Sequence, residues 1–311
     1  MKRNITLADK NWFATGGSAN YFCEPTTAHE FQDAINFAQK NNLELFILGQ
    51  GANILVSDEG FDGVVIRPAL QNITTESLRD NSVLVTAGAG VTIHDLIVFC
   101  FDNNILGLEE FSGIPGTVGG SVYINLHYFS FLLGNFLVSA QVLHKTTGTL
   151  LTVDNAWFNF GYDTSTLHNN EYYLVTATFK LTRATDLEIA YARGRHTEII
   201  RHRTSRYPTR NTCGSFFRNF HPEEVTLESN GKKMIYVAYY LDKIGAKGTL
   251  NVGNAVVSYQ HANMIVHNGT ATSKDIIQLA RAMQEKVYDA FGVMPQPECQ
   301  LIGFKEYPLH K

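Results

Sequence analysis

Apolar positions recur along the chain at two spacings, about 3.6 residues and two residues, which are the periods of helices and strands. Thr27 and Glu30 form a capping box, and the apolar residues that follow at helical spacing predict a helix that ends near Asn41. The same signals predict further helices from Thr92 to about Phe101, over 186–206, over Lys232–Ile244, and from Thr272 onward.

Short apolar runs predict the strands of the protein. They lie at 43–48, 54–56, 64–66, 83–87, 255–258 and 264–266, and in the runs FLVSAQVL, TLLTV and YYLVTATFKL between 136 and 182. The stretch Phe129–Leu143 is too short and too polar to span a bilayer, so we expect it to be a buried strand or helix. Strands that are grouped, with helices on one side, indicate an α+β protein.

The composition limits the class of protein. With 311 residues, 44% of them hydrophobic, the chain is expected to form about two globular domains, with the main boundary at about 185–205. A net charge of −4 excludes a global attraction to nucleic acid or to an anionic membrane. The start has no apolar core of a signal peptide, and the four cysteines form no CxxC pair, so we expect a cytoplasmic protein with free thiols. No HExxH motif or His–Cys spacing predicts a metal site.

Two glycine-rich segments are the first candidates for chemistry. Gly49–Asn53 follows a predicted strand, but Ile54 stands where a Rossmann fingerprint has its third glycine, and another strand follows. Gly113–Gly120 contains four glycines in eight residues, and its Thr117–Gly120 end can open a short helix. Each segment alone is a plain turn or an anion-binding loop. The presence of both favours a ligand that contains a diphosphate.

A third candidate is Cys213–Asn219. Gly214 frees the backbone before Ser215, while Arg218 and Asn219 suit anionic and amide groups. Ser215 has no neighbouring His or Lys, so a Ser-His-Asp nucleophile is not indicated. The segment either contains a proton-donating serine followed by two binding residues, or it is a capped turn.

Charged residues supply the remaining candidates. Glu298 lies among apolar residues, where a carboxylate is costly unless it is paired, functional or at an exposed edge. Six arginines between Arg193 and Arg210 predict a solvated helix face with one or two side chains directed at an anionic ligand. They lack interleaved aromatic residues, so nucleic-acid binding is not expected.

These motifs occur in an order that resembles the UDP-N-acetylenolpyruvoylglucosamine reductases. The resemblance covers about Trp12 to Phe304, and the absence of a long insertion ahead of GSFFRN resembles the shorter of the family's two types. Its motifs are TGGSA (15–19), LGQGANILVSDEGFDGVVI (48–66), SGIPGTVGGSVYIN (112–125), Tyr162 with Ser165, GSFFRN (214–219), LDKIGAKG (241–248), HANMIVHNGTAT (261–272) and PECQLIG (297–303).

The resemblance implies a fold and an activity. The fold is an FAD-binding region of the vanillyl-alcohol-oxidase or PCMH type, with subdomains at 1–75 and 76–190, followed by an α+β substrate-binding domain at 191–311. The activity is the NADPH-dependent reduction, through tightly bound FAD, of UDP-N-acetylglucosamine enolpyruvate to UDP-N-acetylmuramate for peptidoglycan. The implied partners are small molecules, without nucleic acid or membrane, and the implied state is a monomer.

The resemblance also implies roles for individual residues. Ser215 is the proton donor, and Glu298 helps to stabilise the enolic intermediate. Arg218, which replaces the usual lysine, and Asn219 bind substrate together with Tyr162 and Ser165. The expected FAD-binding residues are Gly49, Gln50, Gly51, Ala52, Asn53, Ile54, Gly113, Ile114, Pro115, Gly116, Thr117, Gly119 and Gly120.

Two departures from the family pattern leave the substrate open. Asp163 stands where the family has an arginine that activates the substrate carboxylate, so either Asp163 points away and Arg210 or Arg218 takes that role, or the enzyme is slow. The bulky segment Leu126–Phe129 replaces small residues near the flavin. The alternatives are a flavoprotein of the same fold with another substrate, and a flavin-free protein that binds a nucleotide sugar.

Overall fold

The computed structural model describes all 311 residues, which form two compact units. Unit 1 comprises Met1–Arg3, Tyr21–Gln50 and Gly63–Arg203. Unit 2 comprises Asn4–Asn20, Gly51–Asp62 and Thr204–Lys311. The chain therefore passes between the units several times, and both units contain helices and strands, as expected of an α+β protein.

Local capping signals determine where most helices begin. The side chains of Thr27, Thr92 and Thr272 each accept a hydrogen bond from the backbone N–H three residues later. The predicted starts of these three helices are thus confirmed. The helices are α1 (Ala28–Lys40), α2 (Ile93–Asp102), α3 (Val118–Tyr123), α4 (Asp186–Arg206), α5 (Val237–Lys243) and α6 (Ser273–Phe291).

The strands confirm every predicted run, with small shifts of the ends. The first ten are β1 (Lys2–Thr6), β2 (Ser18–Cys23), β3 (Glu44–Ile47), β4 (Ile54–Val56), β5 (Phe61–Ile66), β6 (Ile73–Ser77), β7 (Ser82–Gly88), β8 (Ile105–Leu106), β9 (His127–Tyr128) and β10 (Phe131–Leu132). The others are β11 (Leu137–His144), β12 (Leu150–Asp154), β13 (Tyr172–Arg183), β14 (Glu228–Ser229), β15 (Lys232–Lys233), β16 (Asn251–Val252), β17 (Ala255–Val257), β18 (Ile265–His267) and β19 (Gln300–Ile302).

Unit 1 is built on an antiparallel sheet. Its strand order is β12-β11-β13-β7-β6, and β8 also pairs with β13. In a second, four-stranded sheet of order β1-β2-β5-β3, strands β3 and β5 are parallel. Side chains of α1 and α2, among them Phe31, Ile35 and Leu96, are buried in one core with Val85 and Phe179 of the large sheet. Full burial of each such side chain contributes about 1.5–3 kcal/mol.

Unit 2 has its own core around α5 and α6. Phe216, Phe217, Tyr240, Ile276 and Met283 are fully buried and belong to one cluster. A three-stranded antiparallel sheet has the order β16-β17-β18, and β4 and β19 pair in parallel. This parallel pair brings two distant parts of the sequence side by side.

Two predicted elements are wrong. The helix over Lys232–Ile244 is confined to α5, because Lys232–Lys233 pairs with Glu228–Ser229 in a hairpin whose turn residues Asn230 and Gly231 both have positive φ. The stretch predicted to be buried from Phe129 begins with an exposed turn instead. Phe129 is 79% exposed with φ of +51°, and it connects β9 to β10.

Candidate active site

The two glycine-rich segments meet in unit 1. The backbone N–H of Gly116 donates to Oε1 of Gln50 at 2.7 Å. A Cβ on Gly49 would lie 2.8 Å from Oγ1 of Thr117, so only glycine allows this close approach. Thr117 caps the predicted short helix α3 by accepting a hydrogen bond from Gly120 N.

The backbone amides of these segments can bind an anion. Gly119 N donates to the carbonyl of Ala89, but the N–H groups of Gly49, Gln50 and Thr117 donate to no other group of the protein. Backbone N–H groups in partly buried loops are normally paired, so these three are suited to an external acceptor. Together with the close approach at Gly49, they fit the diphosphate of FAD.

The rest of the GQGAN motif lies in unit 2. Gly51 has φ of +66°, and a Cβ on it would lie 2.5 Å from the carbonyl oxygen of Lys10. Its own carbonyl accepts a hydrogen bond from Trp12 N at 2.9 Å. Ala52 and Asn53 lead directly into β4 at Ile54. A strand therefore follows the motif, as predicted, and not the helix of a Rossmann fold.

Ser215 lies on a backbone that is held on two sides. It forms an isolated bridge with Met264, and the next residue, Phe216, accepts a hydrogen bond from the backbone N–H of Glu298 at 2.9 Å. Asn263 bonds both backbone groups of Phe217 through its side chain. The hydroxyl of Ser215 makes no hydrogen bond within the protein. Its position is fixed while its proton is free for a ligand.

Glu298 lies beside Asn53, a residue from the opposite end of the sequence. Asn53 Nδ2 donates to Glu298 Oε1 at 3.1 Å, and the Oδ1 of Asn53 is buried without a hydrogen-bond partner. The parallel pairing of β4 with β19 explains the contact, because Asn53 precedes one strand and Glu298 lies just before the other. Glu298 itself lies two residues before β19.

The two predicted substrate-binding residues after Phe217 already have protein partners. Arg218 donates to both oxygens of Glu224 at 2.7 Å, and this bidentate contact lowers the pKa of the Glu224 carboxyl to about 2. Asn219 Oδ1 accepts a hydrogen bond from Val237 N at the start of α5. Part of the binding capacity of Arg218 is therefore used inside unit 2.

Tyr162 and Ser165 occupy different environments in unit 1. Tyr162 is 46% exposed, and its ring lies 4.9 Å from that of His127. Ser165 is buried and donates its hydroxyl hydrogen to the carbonyl of Tyr123 at 2.7 Å. Between them, Asp163 forms an ion pair with His127, with 3.3 Å between Oδ1 and Nδ1.

A cleft in unit 2 was not predicted from the sequence. It measures about 260 Å³ and contains two cationic side chains, Arg206 and Lys247. Burial lowers the pKa of His261 to about 4, and the charges of Arg206 and Lys247 act in the same direction. Its lining residues are Arg206, Ala238, Tyr239, Asp242, Lys247, Gln260, His261 and Ala262. The motifs LDKIGAKG and HANMIVHNGTAT contain several of these lining residues, and they are the sequence signal that points to the cleft.

Comparisons with known proteins identify the family. A model described as an FAD binding domain matches residues 19–154, and one described as the C-terminal domain of UDP-N-acetylenolpyruvoylglucosamine reductase matches residues 206–302. The chain is 32% identical over 303 residues to the UDP-N-acetylenolpyruvoylglucosamine reductase of Trichormus variabilis, which covers 97% of this chain and 86% of that protein. The chain belongs to the UDP-N-acetylenolpyruvoylglucosamine reductase family.

Other members support the same assignment. The reductase of Anoxybacillus flavithermus is 30% identical over 307 residues, covering 98% of this chain and 95% of that protein. The crystal structure of UDP-N-acetylenolpyruvylglucosamine reductase (MurB) from Thermus caldophilus superposes with a TM-score of 0.75 at 28% identity, covering 96% of this chain and 98% of that one.

Family membership confirms the predicted fold class, an FAD-binding region followed by a C-terminal domain of this family, and it confirms FAD as the cofactor. The match to an FAD binding domain argues against the flavin-free alternative. No helix of the protein combines the length and the apolar character needed to cross a membrane. The roles of the individual site residues stay predictions.

Proposed function

We propose that this protein uses NADPH to reduce UDP-N-acetylglucosamine enolpyruvate to UDP-N-acetylmuramate, a precursor of peptidoglycan. The observation that carries the proposal is the similarity to the reductase family over 97% of the chain, together with the FAD binding domain. The predicted proton donor Ser215 and the carboxylate Glu298 lie on hydrogen-bonded backbone segments, which supports the same reaction.

The glycine segments are the proposed FAD-binding elements. Bound FAD supplies the redox chemistry, accepting a hydride from NADPH and delivering it to the methylene carbon of the enolpyruvyl group. The amides of Gly49, Gln50 and Thr117 bind the diphosphate by hydrogen bonds, and Gln50 holds Gly116 in place. The predicted residues Ala52, Ile54, Ile114, Pro115, Gly119 and Gly120 shape the same segments.

Ser215 and Glu298 are the proposed chemical groups. Hydride addition to the methylene carbon leaves an electron pair that is delocalised into the carboxylate, and the neighbouring carbon then requires a proton. Ser215 donates that proton from a hydroxyl that has no partner in the protein. Asn53 donates a hydrogen bond to Glu298 and thereby holds its carboxylate in one orientation.

The cleft in unit 2 is the proposed site for the nucleotide part of the substrate. Arg206 and Lys247 supply positive charge for a diphosphate, and Tyr239 supplies an aromatic face. Arg218 and Asn219, from the predicted GSFFRN motif, complete the substrate-binding set of unit 2. In unit 1 the exposed Tyr162 is the proposed contact, and the buried Ser165 positions its segment through the hydrogen bond to Tyr123.

We further infer a monomeric, cytoplasmic enzyme that serves cell-wall synthesis, and with it cell shape and division. The nucleotide substrates NADPH and UDP-sugar support the location. The net charge of −4 supports the absence of nucleic-acid and membrane partners. Size-exclusion chromatography coupled to light scattering tests the oligomeric state.

A stopped-flow experiment on the Ser215→Ala variant tests the function. We expect NADPH to bleach the flavin absorbance at the wild-type rate, whereas reoxidation by the enolpyruvyl sugar slows by at least about 100-fold. Ser229→Ala, on an exposed hairpin, is the matched control with wild-type rates in both steps. A wild-type flavoprotein that the sugar never reoxidises would contradict the proposed function, and equal loss of both steps in Ser215→Ala would make Ser215 structural.

A flavoprotein with another substrate is the second candidate, favoured by the ion pair of Asp163 with His127 at the position of the expected arginine. A panel of reducible acceptors offered to the NADPH-reduced protein separates the two. Preference for another acceptor over the enolpyruvyl sugar supports the second candidate, and preference for the sugar ends it.

A further inference from the structure

His127 and Asp163 form a partly buried ion pair in unit 1. Their side chains are 30% and 17% exposed, and Oδ2 of Asp163 is buried without any hydrogen-bond partner. A carboxylate in such a place is costly unless a positive charge lies beside it. Nδ1 of His127, 3.3 Å from Oδ1 of Asp163, is the nitrogen that lies beside this carboxylate.

The backbone around the pair is built to bring the two side chains together. Asn125, with φ of +50°, donates to the carbonyl of Gly161 at 3.1 Å and accepts from Gly134 N at 3.0 Å. It therefore ties the segment that carries His127 to the turn that carries Asp163. Asp163 has φ of +53° inside that turn, next to the bridge between Gly161 and Thr164.

The pair also leaves a polar atom of His127 available. Nδ1 faces Asp163, while Nε2 makes no hydrogen bond within the protein. The ring lies at a tilt of 43° against the ring of Tyr162, which is 46% exposed and is one of the predicted substrate-binding residues. The imidazole therefore has one face on an accessible aromatic residue and a nitrogen for an external acceptor.

The charge of the substrate makes this arrangement meaningful. The proposed reaction develops a second negative charge on an enolpyruvyl group that already has a carboxylate. An unpaired aspartate close to that carboxylate would repel it, because like charges in a partly buried site interact strongly. His127 lies against Asp163 and places a hydrogen-bonding side chain beside that carboxylate, in the segment where the resemblance implies small residues.

We propose that His127, oriented by Asp163, binds the carboxylate of the enolpyruvyl group and takes the place of the arginine expected at position 163. The proposal rests on the proposed function. A single imidazole donor replaces the two parallel donors of a guanidinium, so the contact is weaker than a bidentate one. Arg218 is less suited because its guanidinium is already paired with Glu224.

Two ligands that differ in one carboxylate test the proposal on the FAD-loaded protein. UDP-N-acetylglucosamine lacks the enolpyruvyl group, and UDP-N-acetylglucosamine enolpyruvate contains it. In His127→Gln we expect the dissociation constant of the enolpyruvyl sugar to rise about 10- to 100-fold, the effect of losing a charged hydrogen bond. Binding of UDP-N-acetylglucosamine and flavin reduction by NADPH are expected to stay unchanged. His127→Arg, which supplies a cation with several donors at the same place, is expected to restore selective binding.

His29→Gln is the matched control, because His29 forms a similar pair with Asp33, 3.2 Å apart, on the exposed surface of α1. This variant is expected to leave the dissociation constants of both ligands unchanged. If His127→Gln weakens both ligands equally, or neither, the pair is structural and the proposal is overturned. The same holds if Arg210→Gln produces the selective loss instead. These are equilibrium measurements, so a protein that binds the sugar but fails to reduce it contradicts the proposed function without contradicting this assignment.

Discussion

The segments before and after helix α3 differ in what they present to a ligand. Before the helix, Gly113–Thr117 offers backbone groups and one capping hydroxyl. After the helix, Leu126–Leu132 offers bulky side chains, an ion pair to Asp163, and an exposed Phe129. Backbone recognition requires glycines at fixed places, whereas side-chain recognition can be rebuilt with other residues. The first segment is therefore constrained by its sequence, and the second has room to change.

The largest expected effect is in the backbone-built region. Gly49→Ala places a Cβ 2.8 Å from Thr117 Oγ1, a buried cap that has little space to move. Overpacking of this kind costs about 1–3 kcal/mol. If the same free energy is lost from FAD binding, the affinity falls about 5- to 150-fold. A fluorescence titration of the apoprotein with FAD measures this affinity.

Gly194→Ala is the control for that substitution. Gly194 lies within α4, and a Cβ there would meet nothing within 4 Å. The FAD affinity of Gly194→Ala is expected to equal that of the wild type. Wild-type FAD affinity in Gly49→Ala would contradict the view that the loops must approach closely at this point.

The cleft of unit 2 differs from both segments around α3, because its lining includes several charged side chains. The folded-state pKa of His261 is about 4, against 6.5 for an unperturbed histidine, so the unfolded chain binds the proton more tightly. Folding stability is therefore lost as the pH falls from about 6.5 to about 4, by up to about 3 kcal/mol.

His261→Gln has no such proton to bind. As the pH falls from about 6.5 to about 4, we expect the unfolding free energy of this variant, measured by urea denaturation, to rise relative to that of the wild type. Below pH 4 the difference between the two proteins should stay constant. A constant difference between the two proteins from pH 7 to pH 4 would show that His261 is not held neutral by its surroundings.

The smallest effect is expected in the side-chain-built segment. Phe129 has φ of +51° and is mostly exposed, and a left-handed backbone costs an ordinary residue about 1–2 kcal/mol. Phe129→Gly removes that cost and loses the contact with the Tyr128 ring at 4.7 Å, which leaves a net gain of about 0.5 kcal/mol. Thermal unfolding measures it. Phe129→Ala keeps the backbone cost and loses the contact, so it should unfold at a lower temperature than the wild type. If Phe129→Gly also unfolds at a lower temperature than the wild type, the ring contact outweighs the cost of the left-handed backbone.

Elements with complete local signals were predictable. A threonine precedes each of α1, α2 and α6 and accepts a hydrogen bond from the backbone N–H three residues later, and each helix has an apolar face at helical spacing. The hairpin at 228–233 was missed even though Asn230-Gly231 is its turn signal. Its strands are two residues long and fully polar, so no apolar alternation marks them.

Contacts between distant residues were not predictable. The sequence marks Asn53 as a candidate for the cofactor and Glu298 as one for catalysis, but their hydrogen bond depends on the parallel pairing of β4 with β19. Asp163 was recognised as a departure and Leu126–Phe129 as bulky. Only the structure joins the two observations in one ion pair.

The order of residues alone establishes the family, the helix starts and the close approach allowed by the glycine segments, because capping and backbone freedom are properties of a few adjacent residues. Only the folded arrangement shows which polar and charged side chains lie together: Arg218 with Glu224, Asp163 with His127, and the cations of the cleft around His261. Electrostatic interactions depend on distance in space and on burial, and neither can be obtained from the order of residues along the chain.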